Sequence, residues 1–160
     1  MNHQDTKTPR TRVGVVGAGQ FGAHHARVLS ALGALAGVFD VDRGRAAPLA
    51  AKFGCGVFGS LEELADAVDA AVVAVPTREH AEVGCALLER GLDVLVEKPI
   101  AATPEDAARL IATAEGHRRV LQVGHLERYN PAVVAAKRIV TRPMFFEVHR
   151  MSVFSPRSLD

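Results

Sequence analysis

The chain has 160 residues, 48% of them hydrophobic and 23% charged, and Lys+Arg 19 against Asp+Glu 18 leaves a net charge of +1. These proportions fit one ordinary globular domain or slightly more, and the balanced charge argues against a protein held to nucleic acid or to a membrane surface by net charge. Apolar runs such as Ala70–Pro76 are too short to span a bilayer, so neither a nucleic-acid nor a membrane partner is expected.

Met1–Arg12 is polar and carries no apolar stretch of the secretory kind; residues 1–10 read as a disordered tail. Arg12-Val-Gly-Val-Val16 is a β-branched run that predicts a buried strand. A glycine turn follows at Gly17–Gly22. His25, Val28, Leu29 and Leu32 then recur at helical spacing, and Gly33 supplies a stop. Leu35–Phe39 predicts a second strand, ending at Asp40. Ser60-Leu-Glu-Glu63 is a capping box, with Leu61, Leu64, Ala65 and Val68 on one helical face behind it. Ala70–Val75 is an apolar strand closed by Pro76. Val83, Ala86 and Leu87 share a helix face that runs to Gly91. Leu92–Val96 is a strand stopped by Glu97-Lys98-Pro99, Thr103 caps a helix carrying Ala107, Leu110, Ile111 and Ala114, and Arg119–Val123 is one more strand. Strands this apolar belong in a parallel sheet covered on both faces by helices. With right-handed crossovers, the fold class is α/β, a doubly wound parallel sheet.

After Gly124 the pattern changes. Asn130-Pro131 reads as a cap with proline in the first turn, followed by a face of Ala132, Ala135, Ala136 and Ile139. Met144–Phe154 begins by alternating, as a half-buried strand does. One helix and one strand bury no core of their own. The expected organisation is a tail over 1–10, a nucleotide-binding domain over 11–126, and the start of a truncated α+β second domain over 127–160.

The chemistry begins at Gly17-Ala-Gly19-Gln20-Phe21-Gly22, which is G-x-G-x-x-G between a predicted strand and a predicted helix. In that context Gly17 permits the turn, Gly19 lets backbone approach a pyrophosphate, and Gly22 allows close helix–strand packing. The helix N-terminus offers unpaired N–H groups and the positive end of its dipole. Asp40 stands at the end of the second strand, where a carboxylate accepts hydrogen bonds from the adenosine ribose hydroxyls. A methyltransferase site is disfavoured, because Val16 precedes the turn and Phe21 stands where a third glycine would fall. Asp40 repels a 2′-phosphate, so NAD is expected over NADP; Arg43 and Arg45 read as a solvated helix start. Glu97-Lys98-Pro99 follows a strand at its carboxyl end, where open α/β sheets place ligands, and a lysine there can tune a proton transfer.

Taken together, the glycine turn, Asp40, Pro76 with His80, Glu97-Lys98-Pro99 and Gly124-His-Leu-Glu-Arg-Tyr-Asn-Pro131 resemble the glucose-fructose oxidoreductase / inositol dehydrogenase / MocA family of NAD(P)-dependent oxidoreductases. The final stretch is similar to the branch acting on nucleotide-linked amino sugars, of the UDP-N-acetylglucosamine dehydrogenase type. The resemblance implies a hydride transfer between a sugar or UDP-sugar carbinol carbon and nicotinamide. It implies that Gln20 and Phe21 lie with the glycines at the cofactor. It also implies that Lys98 is the active-site lysine at the reacting hydroxyl and the nicotinamide ribose, with Glu97 beside that ribose. Pro76 and His80 would line the cofactor groove. Arg128 and Tyr129, with His125, would border the substrate side, and the complete enzyme would be a homo-oligomer. The family's substrate-domain histidine has no counterpart before Asp160, so the chain is expected to supply nucleotide binding more than turnover; the alternative is a non-catalytic nucleotide-binding module. His24 and His25, adjacent on a helix, point about 100° apart and make no chelating pair. No metal constellation is expected. Cys55 and Cys85 form no C-x-x-C and no disulfide framework, and read as inert thiols of a reduced, cytoplasmic protein.

Overall fold

A computed structural model describes residues 11–145 together with Glu147, His149 and Met151. They divide into two units, one running to Gly124 and the other starting at His125.

The first unit is a six-stranded, wholly parallel sheet of β1 (Val13–Val16), β2 (Leu35–Phe39), β3 (Gly56–Val57), β4 (Ala70–Val73), β5 (Asp93–Val96) and β6 (Leu121–Val123). The strand order is β3-β2-β1-β4-β5-β6. The chain therefore winds outward from β1 in one direction, then returns to β1's other side at β4 and winds the opposite way. That reversal between β1 and β4 is the switch point at which doubly wound sheets bind ligands. The crossovers are α1 (Gln20–Leu32), α2 (Arg43–Phe53), α3 (Leu61–Ala67), α4 (His80–Glu89) and α5 (Pro104–His117). The expected doubly wound class is the one observed.

Successive residues of a strand face opposite sides of the sheet, and the core is accordingly double. Val16, Val73, Val94 and Val96 pack on one side with Leu64, Leu87, Leu88 and Leu110. Val15, Val38 and Val72 pack on the other with Ala26, Ala46, Leu49 and Ala50. Leu64 lies flat against β1: a Cβ on Gly14 would stand 2.9 Å from its side-chain carbons.

The predicted caps form as hydrogen bonds. Ser60 Oγ accepts Glu63 N–H at 3.1 Å, while the Glu63 carboxylate reaches back to Gly59 N–H at 2.6 Å. Thr103 Oγ1 accepts Asp106 N–H at 3.1 Å. Helix α1 stops at Gly33 in the left-handed conformation. Strand β3 was not anticipated, and of α2 only the start at Arg43 and Arg45 was. Helix α2 buries Ala46, Leu49 and Ala50 and carries Pro48, so its apolar face lacks the large side chains that reveal a helical period. Strand β3 has two residues at the sheet edge. Four predicted strands are shorter than expected, at Val13–Val16, Ala70–Val73, Asp93–Val96 and Leu121–Val123. Arg118, in the left-handed conformation at φ 55°, closes α5 and moves the start of β6 beyond Arg119.

The second unit opens with a 3-10 turn, Leu126–Tyr129, and continues as α6 (Pro131–Ile139). Asn130 caps α6, its Oδ1 accepting Ala132 N–H at 3.0 Å. Met144, Phe145, Glu147, His149 and Met151 carry no strand. The other positions of the strand expected over 144–154 lie outside the described residues.

Fully buried Leu64 and half-exposed Val28 make a test of this core. Leu64→Ala should lower the unfolding free energy by about 2–5 kcal/mol in urea titrations. Val28→Ala, at a side chain 46% exposed, should cost no more than ~1 kcal/mol.

Candidate functional site

The strand ends align because the register aligns them. Val16 pairs with Phe39 on one side and Val73 on the other, and Val73 pairs with Val96. Backbone bonds continue one residue further: Gly17 N–H to Phe39 O at 2.8 Å, Ala74 N–H to Val16 O at 2.8 Å, Glu97 N–H to Val73 O at 3.0 Å, and Gly124 N–H to Val96 O at 2.8 Å. Asp40, Gly17, Ala74, Glu97 and Gly124 therefore stand in one row along the carboxyl edge. Every candidate from the first unit lies on this row, in the loop that leaves it, or in the first turn of the helix that follows.

The three glycines of the turn differ in what requires them. Gly17 has φ +96°, and a Cβ there would stand 2.5 Å from Ala74 O. A Cβ on Gly22 would overlap the Gly17 carbonyl oxygen. Protein packing thus explains both. Gly19 is another case: its φ is −72°, and a Cβ there would meet no protein atom within 4 Å. Nothing in the fold demands glycine at 19. Gly19 is also the N-cap of α1, without a side-chain cap and with no acidic residue in the first turn. Helices α3 and α5 both have a side-chain cap and two acids there. The first-turn N–H groups of α1 are left for an anion, and Gly19 leaves the space through which it would approach.

Asp40 braces this turn. Its Oδ2 accepts Ala18 N–H at 2.7 Å and its Oδ1 accepts Asp42 N–H at 2.8 Å. Each carboxylate oxygen has a second lone pair, so both remain able to take a ribose hydroxyl.

Across the switch point, Glu97 is a buried charged residue at 5% exposure. Its Oε2 accepts the Lys98 backbone N–H at 3.1 Å, and its Oε1 lies 2.7 Å from His25 Nε2. Lys98 is exposed, with Nζ 5.6 Å from the centroid of the Phe21 ring, itself 45% exposed. Gln20 is exposed at the start of α1, and Pro76 is exposed in the loop after β4. His80 is 1% exposed and lies under the loops, not on their surface. Its Nδ1 meets Pro99 O at 2.9 Å and its Nε2 meets Val75 O at 3.0 Å. The ring joins the loop after β4 to the loop after β5, with both nitrogens committed to backbone. His125, Arg128 and Tyr129 are exposed residues of the second unit, in or beside its opening 3-10 turn.

His25 is the residue that sequence reasoning passed over. Read beside His24 as a failed chelating pair, it was set aside, yet it contacts the buried acid of the site. The available signal was its spacing: it follows Phe21 by four residues and so shares that residue's helical face.

Burial pushes the Cys55 thiol above its ordinary range, which fits the expected inert cysteine. No cluster of metal-ligating side chains occurs among the described residues. No helix among them is long and apolar enough to cross a membrane.

The comparisons with known proteins assign the chain to a family. The Gfo/Idh/MocA model, "Oxidoreductase family, NAD-binding Rossmann fold", matches residues 11–125. The chain belongs to this family. It is 38% identical over 150 residues to the UDP-N-acetylglucosamine 3-dehydrogenase of Acidithiobacillus ferrooxidans, covering 93% of this chain and 48% of that protein. It is 43% identical over 138 residues to inositol 2-dehydrogenase 1 of Saccharopolyspora erythraea, covering 79% of this chain and 40% of the relative. Among solved structures, GenD2 from gentamicin A biosynthesis, in complex with NAD, superposes with a TM-score of 0.79 at 32% identity, over 88% of this chain and 42% of that one. The chain spans less than half the length of these relatives.

The contrast between the glycines has a direct check. Gly22→Ala should melt well below the wild type in a ligand-free thermal scan, because the new methyl group displaces α1 from the turn. Gly19→Val should stay within about 1 kcal/mol of it.

Proposed function

We propose that this chain is the cofactor-binding part of an NAD-dependent dehydrogenase that oxidises a carbinol of a sugar or a nucleotide-linked sugar. The observation that carries the reading is Gly19, a glycine that the protein's own packing does not require, at the uncapped start of α1. A pyrophosphate accounts for both the missing side chain and the missing cap. Asp40 accepts the adenosine ribose hydroxyls, and its charge favours NAD over NADP. From Asp40 the row of strand ends crosses β1 and β4 to Glu97 on β5. At ~4.8 Å per strand that is about 14 Å, the reach of an extended dinucleotide, so the nicotinamide end falls at Glu97-Lys98.

When bound, the nicotinamide supplies the hydride acceptor. The residues of this chain hold it and prepare the proton transfer. Lys98 would donate hydrogen bonds to the nicotinamide ribose and to the reacting hydroxyl, where its positive charge would favour transfer of the hydroxyl proton to a general base. Glu97 accepts from the ribose side and holds the lysine backbone in place. Phe21 gives the ammonium an aromatic face and keeps water from that side. Pro76 shapes the loop after β4, and His80 pins that loop to Pro99 from below. Arg128 and Tyr129, with His125, belong to the substrate side. Sugar or UDP-sugar substrates are supported by the names of the two curated relatives. A reduced, cytoplasmic setting fits the free cysteines, and a homo-oligomer is the expected assembly.

Calorimetric titration tests this reading. NAD should bind more tightly than NADP, and Gly19→Val should abolish NAD binding while the protein stays folded. Retention of wild-type NAD affinity by that variant would remove the site.

Asp40→Asn supplies a second, independent check, since the amide oxygen still accepts Ala18 N–H. Its NAD affinity should fall by about 1–3 kcal/mol, and the preference over NADP should narrow. An unchanged NAD-to-NADP ratio would place the ribose elsewhere.

A further inference from the structure

Helix α1 touches the site at a second place, away from its N-terminus. Phe21 and His25 are four residues apart on α1, so their side chains lie along one face. Both meet the same dipeptide at the end of β5. The Phe21 ring stands 5.6 Å from Lys98 Nζ, and His25 Nε2 stands 2.7 Å from Glu97 Oε1.

Glu97 is enclosed on every side that these contacts define. Oε2 takes the Lys98 backbone N–H, and Gly124 closes another side, where an added Cβ would stand 3.3 Å from Cδ and from both oxygens. An ionised carboxylate accepts and does not donate, so His25 Nε2 carries the proton of their hydrogen bond. Among the described residues no other side chain hydrogen-bonds to Glu97. His25 is thus the one side-chain donor to a nearly buried charge, and a buried charge that loses its partner turns toward other donors or water. Any such turn moves the carboxylate off the Lys98 N–H.

We propose that His25 is a positioning residue: through Glu97 it fixes the backbone from which Lys98 projects, so one helix sets both the pyrophosphate end and the nicotinamide end of the site. The proposal rests on the dinucleotide reading above. The two ends are then separable: the first rests on the α1 first turn, and the second on His25, Glu97 and Lys98.

The test compares NAD with ADP on the 160-residue chain. ADP carries the adenosine, its ribose and the two phosphates; NAD adds the nicotinamide riboside that meets Glu97-Lys98. The wild type should bind NAD more tightly than ADP. His25→Leu fills the ring's volume without a donor; its ADP affinity should hold while its NAD affinity falls roughly tenfold, the scale of one charge-assisted hydrogen bond. His25→Gln, which offers a side-chain N–H, should recover part of the NAD advantage. Equal losses of ADP and NAD in His25→Leu would make His25 a plain structural staple and overturn the proposal, as would an undiminished NAD advantage. A wild type that binds neither nucleotide would overturn the dinucleotide reading itself, and one that binds ADP but no better NAD would overturn the placement of the nicotinamide end. The wild type alone gives one more measurement, independent of how the variants fold. In NMR spectra the Lys98 amide and the His25 Nε2–H signals should shift together on adding NAD and stay in place on adding ADP. Movement of one without the other would also overturn the coupling.

Discussion

The site depends on one close approach. Gly22 of α1 lies so near the Gly17 carbonyl that no side chain fits between them. This contact fixes where α1 starts and how it is rotated about its axis. The start determines that the unpaired N–H groups of the first turn face the carboxyl edge of the sheet. The rotation determines which residues meet Glu97 and Lys98 beyond the end of β5, and those are His25 and Phe21. A helix shifted by one residue would present different side chains to Glu97 and Lys98, because each residue turns the helix by about 100°.

The sheet supplies the other half of the arrangement. Parallel strands in aligned register deliver a carboxylate, a glycine turn, a proline loop and an acid–lysine pair to one edge, although these residues are far apart in the chain. Side-chain hydrogen bonds then tie neighbouring loops together. Asp40 holds the turn after β1 from the end of β2. His80 links the loops after β4 and β5. His25 links α1 to the end of β5. The edge is a set of short loops fastened to one another, so its polar groups are held in place before a ligand arrives.

Much of this was legible in the sequence because its causes are local. The glycine turn, the capping residues Ser60, Thr103 and Asn130, and the β-branched strands each announce themselves within a few residues. Asp40 and Lys98 were legible from their places at strand ends. Of helix α2 only the start at Arg43 and Arg45 was legible, since alanines make its buried face and a small apolar residue gives little periodic contrast. The burial of His80 was not legible either: a histidine next to a proline loop reads the same whether its ring points out or under. His25 was hidden for a related reason. Its partner is 72 residues away, and only the parallel register brings the end of β5 beside α1.

The two faces of the sheet are unequal in a way that bears on motion. Leucines fill the side covered by α3, α4 and α5, whereas Ala26, Ala46 and Ala50 with Leu49 fill much of the side covered by α1 and α2. Less apolar area is removed from water on the alanine side, so less free energy opposes its local opening. The α1-β2-α2 half is therefore the part that should breathe first, and it is also the part a dinucleotide would grip. By mass action, a ligand bound only to the closed form shifts that local equilibrium. Cofactor concentration then acts on the integrity of the weaker half of the domain as well as on occupancy of the site, and depletion of cofactor would expose α2 to proteases before it disturbed the leucine-filled side.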